Sequence, residues 1–159
     1  MMDRINCILE DEDFKSYLKN NQALEVERIF CHHDINHFMD VSRVAYIINL
    51  EKGYGIDKEL IYAVGLLHDI GRWIEYKDGK DHAIASSELA QPILLRCGFM
   101  ESEIDEVLRA IKSHRSEKQS TNLGAIIFEA DKISRPCYTC TAKGQCKRFL
   151  NGEKYILKY

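Results

Sequence analysis

A histidine and an aspartate near the middle of the chain, His68 and Asp69, are the residues best suited to chemistry. They follow an apolar run over residues 60–67, and Gly71 comes two positions after them. An imidazole or a carboxylate that is buried without a partner costs several kcal/mol. A compensating partner is therefore expected, and a metal ion that takes ligands from several helices would provide one.

Further histidines and aspartates lie at the ends or edges of other expected helices and extend this ligand set. Imidazole nitrogen and carboxylate oxygen together suit Zn, Mn, Fe, Co or Ni better than Ca. Three or four such ligands leave open positions at which a divalent transition metal can activate water and polarise a phosphoryl oxygen. The candidate metal ligands are His37, His68, Asp69, His82, His114 and Asp131.

The elements that must position these side chains are helices, because apolar residues recur at helical spacing and strand signals are few. Asp57 and Asn122 are expected helix caps, and residues 102–105 resemble a capping box. Pro92 is expected to kink or break a helix that ends at Gly98. We expect helices over about 35–52, 58–70, 82–97, 102–114 and 122–135, one or two more within 11–31, and a polar loop at 75–81. The fold class is therefore all-α, a single-domain helical bundle of about six to eight helices.

Length and charge limit the function classes. With 159 residues the chain can bury a core without a metal or a disulfide framework. The net charge is −3 at pH 7 and no dense basic block occurs, so a nucleic acid polymer is not the expected partner. No apolar stretch approaches the roughly 20 residues that cross a bilayer, and the first residues lack a signal-peptide pattern. No membrane partner and a cytoplasmic location are expected.

The order of these residues resembles the HD superfamily of metal-dependent phosphohydrolases, whose pattern runs His, His-Asp, often one or two more His, and then Asp. The resemblance covers about residues 30–135, within 1–159 as one domain. His82 and His114 match the extra histidines of members that hold two metals. The matching segments are Ile-Asn-His37-Phe-Met-Asp, Leu-Leu-His68-Asp69-Ile-Gly-Arg and Glu-Ala-Asp131-Lys-Ile-Ser.

The resemblance implies an HD-type helical fold and one or two metal ions. His37, His68, Asp69 and Asp131 would hold the first ion. Asp69 would bridge to a second ion completed by His82 and His114, although these two could instead bond substrate phosphate directly. The implied substrate is a small phosphate ester or anhydride, of a nucleotide or dinucleoside polyphosphate, and the subgroup that the chain looks most like is the bacterial diadenosine tetraphosphatases.

Three basic residues flank the expected ligands and could balance the charge of a phosphate. Arg72 occupies the position at which many relatives have a lysine, and its guanidinium could clamp two phosphate oxygens. Lys132 and Arg115 follow Asp131 and His114 directly. We expect catalytic roles for Asp69, Arg72 and Lys132, and substrate contacts from all three cations, with salt-bridged surface residues as the alternative for Arg72 and Lys132.

Two other function classes are compatible with the same ligands. A di-iron centre could support oxygen chemistry, as in some HD relatives, or the chain could be a regulatory module that binds a nucleotide without turnover. The sequence leaves open whether the protein forms a homodimer.

A second His-Asp pair, His33-Asp34, has no apolar run before it. We expect Asp34 to cap a helix, with His32 and His33 facing solvent.

The carboxy-terminal segment, residues 136–159, contains three of the six cysteines. The two-residue spacing of Cys137 and Cys140 lets both sulfurs reach one metal, and Cys146 could join them in a separate metal site. A fourth ligand would have to come from Cys31, Cys97, His32 or His33, and a loop of reduced cysteines is the alternative. Cys7, Cys31 and Cys97 are otherwise expected to be small core residues with free thiols.

Overall fold

The computed structural model describes residues 2–159 and contains no strand in that range. The α-helices are α1 (Asp3–Glu10), α2 (Glu12–Leu24), α3 (Ile35–Lys52), α4 (Lys58–Leu67), α5 (Arg72–Asp78), α6 (His82–Arg96), α7 (Glu101–Ser113), α8 (Asn122–Ile133) and the short α9 (Lys147–Leu150). The predicted all-α fold is confirmed, with eight helices before residue 136. In the described range, no helix combines the length and the apolar character needed to span a membrane.

Five helices begin at a side chain that accepts hydrogen bonds from the first free backbone N–H groups. These caps are Asp11, Asp34, Asp57, Asp81 and Thr121. Such a cap stabilises a helix by about 1 kcal/mol. The roles predicted for Asp34 and Asp57 are confirmed, whereas α8 is capped by Thr121 and not by Asn122.

Three other local predictions are corrected. Residues 75–78 belong to α5, because Arg72 pairs with Glu75 one turn later at 2.8 Å and the helix ends only at Gly79, which has φ 72°. Helix α7 begins at Glu101, because the Glu103 carboxylate accepts the backbone N–H of Met100. Pro92 lies inside α6, so the predicted break is wrong, while the alternative of a kink stays a prediction.

Helix α4 lies at the centre of the core. Every residue from 60 to 70 is buried, and α4 packs against α1, α3, α7 and α8. Gly65 permits the approach to α3, since a Cβ there would meet the backbone of Ser42 at 3.0 Å. The apolar run thus carries the residues that follow it into the interior.

Cys7 of α1 and Cys97 after α6 form a disulfide, with their Cα atoms 5.5 Å apart. The prediction of free thiols at these two positions was therefore wrong. The partners are 90 residues apart in sequence, and nothing local indicates that α1 adjoins the end of α6. Cys31, Cys137, Cys140 and Cys146 are free.

Candidate metal centre

The six predicted metal ligands come together at one place. His68 and Asp69 follow the last residue of α4, His114 follows α7, and His82 is the first residue of α6. His37 lies in the first turn of α3 and Asp131 in the last turn of α8. The ligands therefore come from the ends of five helices that meet in the interior.

The turn that carries Asp69 is held from two sides. Asn21 of α2 is fully buried, donates to the Asp69 carbonyl at 2.9 Å and accepts the Trp73 N–H at 2.8 Å. On the other side, the Gly71 N–H donates to Ser86 of α6, and a Cβ at Gly71 would clash with the α6 backbone. Residue 71 must therefore be small for α4 and α6 to bring their ligands together.

The ligands form two groups that share Asp69. In each group the ligand atoms lie within 4.8 Å of one another. His68 Nε2 lies 3.3 Å from Asp69 Oδ2, while His82 Nε2 and His114 Nε2 lie 3.1 and 3.5 Å from Asp69 Oδ1. One carboxylate thus has imidazoles facing both of its oxygens. The first group is His37, His68, Asp69 and Asp131, and the second is Asp69, His82 and His114.

The other ring nitrogen of three histidines is already engaged. His68 Nδ1 lies 2.8 Å from the Gly65 carbonyl, and His114 Nδ1 lies 2.6 Å from the Ile111 carbonyl. His82 Nδ1 lies 2.9 Å from the Glu75 carboxylate. Because a backbone carbonyl can only accept, Nδ1 of His68 and of His114 is the protonated donor, and in the neutral rings their Nε2 lone pairs face Asp69. His82 Nδ1 lies between an acceptor and a donor, because Arg72 Nη1 also approaches it at 2.8 Å, and these contacts do not assign its tautomer.

This arrangement fits a cation. When the rings are neutral, lone pairs that face a carboxylate at these distances repel it unless a positive charge, either a proton or a metal ion, lies between them. The buried atoms without a hydrogen-bond partner include His37 Nε2, His68 Nε2 and Asp69 Oδ1. Unpartnered polar atoms cost free energy when buried, and coordination of a metal would satisfy all three.

The two aspartates are ionised. Burial alone would raise the pKa of Asp69, but His68, His33 and His114 outweigh burial and hold it well below its usual range. Burial likewise opposes ionisation of Asp131, and Arg135 and His37 overcome it, so that its pKa also lies well below the usual range. Both carboxylates therefore offer charged oxygens to a cation at neutral pH.

The three basic residues predicted to bind substrate differ in burial and in their partners. Arg72 is largely buried, with its Nη1 2.8 Å from Glu75 and 2.8 Å from His82 Nδ1. Arg115 is more than half exposed at the same rim, 3.8 Å from Glu75. Lys132 is exposed and lies over the Phe128 ring, outside the ligand groups.

Arg135 is a cation of the site that sequence reasoning missed. It lies two residues after the end of α8, and its Nη2 donates to Asp131 at 2.7 Å. Its spacing of four residues from Asp131 was the only local signal.

His33 was also missed, and its predicted exposure is wrong. The side chain is 3% exposed, with Nδ1 2.5 Å from Glu25 and Nε2 3.6 Å from Asp69 Oδ2. Glu25 is buried as well and also accepts from Tyr76. Only the burial of Glu25, eight residues earlier, could have indicated that His33 is buried. The sequence alone does not show that Glu25 is buried. The neighbouring His32 is exposed, as predicted.

The three carboxy-terminal cysteines belong to neither ligand group. Among residues 2–159, they do not form a group whose sulfur atoms all approach within 4.8 Å.

Relatives by sequence share this ligand region. The HD domain family matches residues 34–135. An uncharacterized protein of Clostridium beijerinckii is 43% identical over 145 residues, which cover 91% of this chain and 92% of that protein. Ribonuclease Y of Clostridium botulinum is 36% identical over 101 residues. That match covers 63% of this chain, which spans only 18% of the ribonuclease.

A solved structure has a similar fold. The crystal structure of a predicted HD superfamily hydrolase from an uncultured Thermotogales bacterium matches with a TM-score of 0.61 at 30% identity. The match covers 77% of this chain and 66% of that one. Because the family match spans most of the chain and includes all six converging ligands, the chain belongs to the HD-domain superfamily.

Proposed function

We propose that the protein is a metal-dependent phosphohydrolase that cleaves a phosphoester or phosphoanhydride bond. The observation that carries this proposal is the position of Asp69, whose two oxygens face imidazole Nε2 atoms from three helix ends. A carboxylate placed in this way can be shared by two ions. One or two ions of Fe, Mn, Zn, Co or Ni suit these ligands.

When bound, such ions would lower the pKa of water and stabilise charge on phosphorus-bound oxygens. The protein's own cations would hold the substrate. Arg72 Nε is buried without a hydrogen-bond partner, so it has an N–H available for a phosphate oxygen. Arg115 lies at the rim and can bind a more distant phosphate. Lys132 would need to leave Phe128 to take part, and it therefore has the weakest claim of the three.

The proposed substrate is a nucleotide or a dinucleoside polyphosphate. A cavity of about 410 Å³ lies beside the first ligand group, lined by His37 and Arg135 together with Cys31, Cys137 and Cys140 but not by Arg72 or Arg115. Its volume is within the range of small-molecule sites, so it could hold the part of the substrate that lies away from those two arginines. RNA is a second candidate, since one relative is a ribonuclease by name. The net charge of −3 favours the smaller substrate.

A screen with a matched inactive variant tests the proposal. Nucleotides, dinucleoside polyphosphates and a short RNA are incubated with the protein and Mn²⁺, Fe²⁺, Co²⁺ or Zn²⁺, and the products are separated by chromatography. We expect metal-dependent hydrolysis of at least one phosphorylated compound, absent in Asp69→Asn.

Two outcomes would favour the other function classes. Tight nucleotide binding by calorimetry without any product would favour a regulatory module. Turnover that requires O₂ and a redox-active metal would favour a di-iron oxygenase.

A further inference from the structure

The carboxy-terminal segment has little apolar burial of its own. Of residues 136–159, only Cys137 and Ala142 are buried. Its regular structure is one 3₁₀ turn, Lys143–Gln145, and the four-residue helix α9. Segments with so small a core are commonly held by disulfides or a structural metal. The segment nevertheless carries three free cysteines in a short stretch.

The fold brings a fourth cysteine to this segment from a distant part of the chain. Cys31, which precedes α3, lines one cavity together with Cys137 and Cys140. It lines a second, adjacent cavity together with Cys146. Cys31 therefore stands between the two parts of the motif. This position favours Cys31 as the fourth ligand, because Cys97 is engaged in the disulfide and His33 is bound to Glu25. His32 lines only the first of the two cavities, whereas Cys31 lines both.

Basic residues lie close to two of the four cysteines. Arg28, Arg135, Lys147 and Arg148 line the cavity that Cys31 and Cys146 share. A divalent ion with four thiolates carries a net charge of −2, so this environment would stabilise it.

We propose that Cys31, Cys137, Cys140 and Cys146 form a tetrahedral thiolate site for a zinc-sized divalent cation, separate from the histidine–aspartate centre. On binding, four thiols lose four protons to solvent and form four sulfur–metal bonds. Because the sulfurs are not all within 4.8 Å of one another, closure requires rotation of side chains. Cys140 and Cys146 lie outside helices and are incompletely buried, so their side chains have room to rotate.

The site would fasten the segment to the HD core beside the first ligand group. Cys31 lies two residues before His33, and Arg135, which binds Asp131, lies two residues before Cys137. A metal ion bound by the four cysteines would thus tie the chain before α3 to the chain after α8.

Titration of the full-length, metal-free protein with Co²⁺ tests the proposal. Thiolate ligands give an intense sulfur-to-cobalt charge-transfer absorption that nitrogen and oxygen ligands do not give. We expect one thiolate-bound cobalt per chain, displaced by Zn²⁺, and the same signal in Asp69→Asn. Cys31→Ser and Cys140→Ser should each lower the affinity by more than about 100-fold, since loss of an outer partner alone costs 10–100-fold. The matched control, Cys7→Ser with Cys97→Ser, should retain the signal.

A second measurement covers variants that fail to fold. In the wild-type protein, Zn²⁺ should protect four thiols from alkylation, and a strong chelator should expose them. The proposal is overturned if the wild type gives no charge-transfer absorption, if Cys31→Ser leaves the signal unchanged, or if the thiols react equally with and without Zn²⁺.

Discussion

The chain contains the dipeptide His-Asp twice, and the two aspartates lie in different environments. Asp34 caps α3 and accepts the backbone N–H of His37 at 3.0 Å, whereas Asp69 is buried among imidazoles. Both histidines, His33 and His68, nevertheless end beside the same carboxylate, at 3.6 and 3.3 Å from Asp69 Oδ2. The aspartates, more than the histidines, distinguish the two pairs.

The difference arises from what precedes each pair. An apolar helix delivers His68-Asp69 to the interior, where the carboxylate can be stable only with charged or hydrogen-bonding partners. Before His33 the chain is irregular, and the histidine is held inside by a hydrogen bond to the buried Glu25. Identical residues thus acquire different roles from burial, and the roles can be separated by substitution.

The largest expected effect is that of Asp69→Asn compared with Asp34→Asn. Asp69→Asn removes the charge shared by the two ligand groups, so hydrolysis should fall by at least about 10³-fold and bound metal at this centre should be lost. Asp34→Asn should leave both unchanged, because asparagine caps a helix as well as aspartate. The comparison uses phosphate release together with elemental analysis. Equal losses in the two variants would show that the pairs do not differ as described.

His33→Ala compared with His32→Ala should give the next largest effect. Loss of the imidazole beside Asp69 should reduce hydrolysis by about 10–100-fold, the range for partners that orient metal ligands. His32 is exposed and bonds only the Arg28 carbonyl, so its removal should change the rate less than about twofold. Steady-state kinetics at saturating metal measures both. Full activity in His33→Ala would show that His33 has only a structural role.

Glu25→Gln tests how His33 is held, through the dependence of stability on pH. Burial opposes ionisation of Glu25, but hydrogen bonds from His33 and Tyr76 lower its pKa from 4.5 to about 2. Because the folded pKa is depressed, ionised Glu25 contributes stability above about pH 4.5, and that contribution disappears as the pH falls towards 2. At neutral pH, the free energy of unfolding of the wild type should exceed that of Glu25→Gln by on the order of 2 kcal/mol.

Urea unfolding of the two proteins between pH 2 and 7 measures this difference. A gap that stays constant across the whole range would contradict the depressed pKa.

Asp34→Ala should have the smallest effect of the series. It removes the cap of α3 and should lower the free energy of unfolding by about 1 kcal/mol without loss of bound metal. Chemical denaturation together with metal analysis checks both parts. Loss of metal in this variant would mean that the α3 cap also positions His37.

The sequence was sufficient for the five helices that carry the ligands and for the six residues that converge, but not for α1 or α5. Both follow from local rules, because helical periodicity and an apolar run before His68 need no knowledge of distant contacts. Which segments of the chain adjoin determines the positions of His33, Arg135 and the Cys7–Cys97 disulfide. Glu25 is buried against His33 across irregular chain, and α1 meets the end of α6 after 90 residues. Such long-range pairs leave no periodic trace in one sequence.

The central claim is that cations join the helix ends around Asp69. Its most direct test is an anomalous-scattering map from crystals of the wild-type protein grown with Mn²⁺. The account predicts one peak bounded by His37, His68, Asp69 and Asp131. If two ions bind, a second peak should lie about 3.5–4 Å away, between Asp69, His82 and His114. A well-ordered map with these side chains in place and no anomalous peak among them would contradict it.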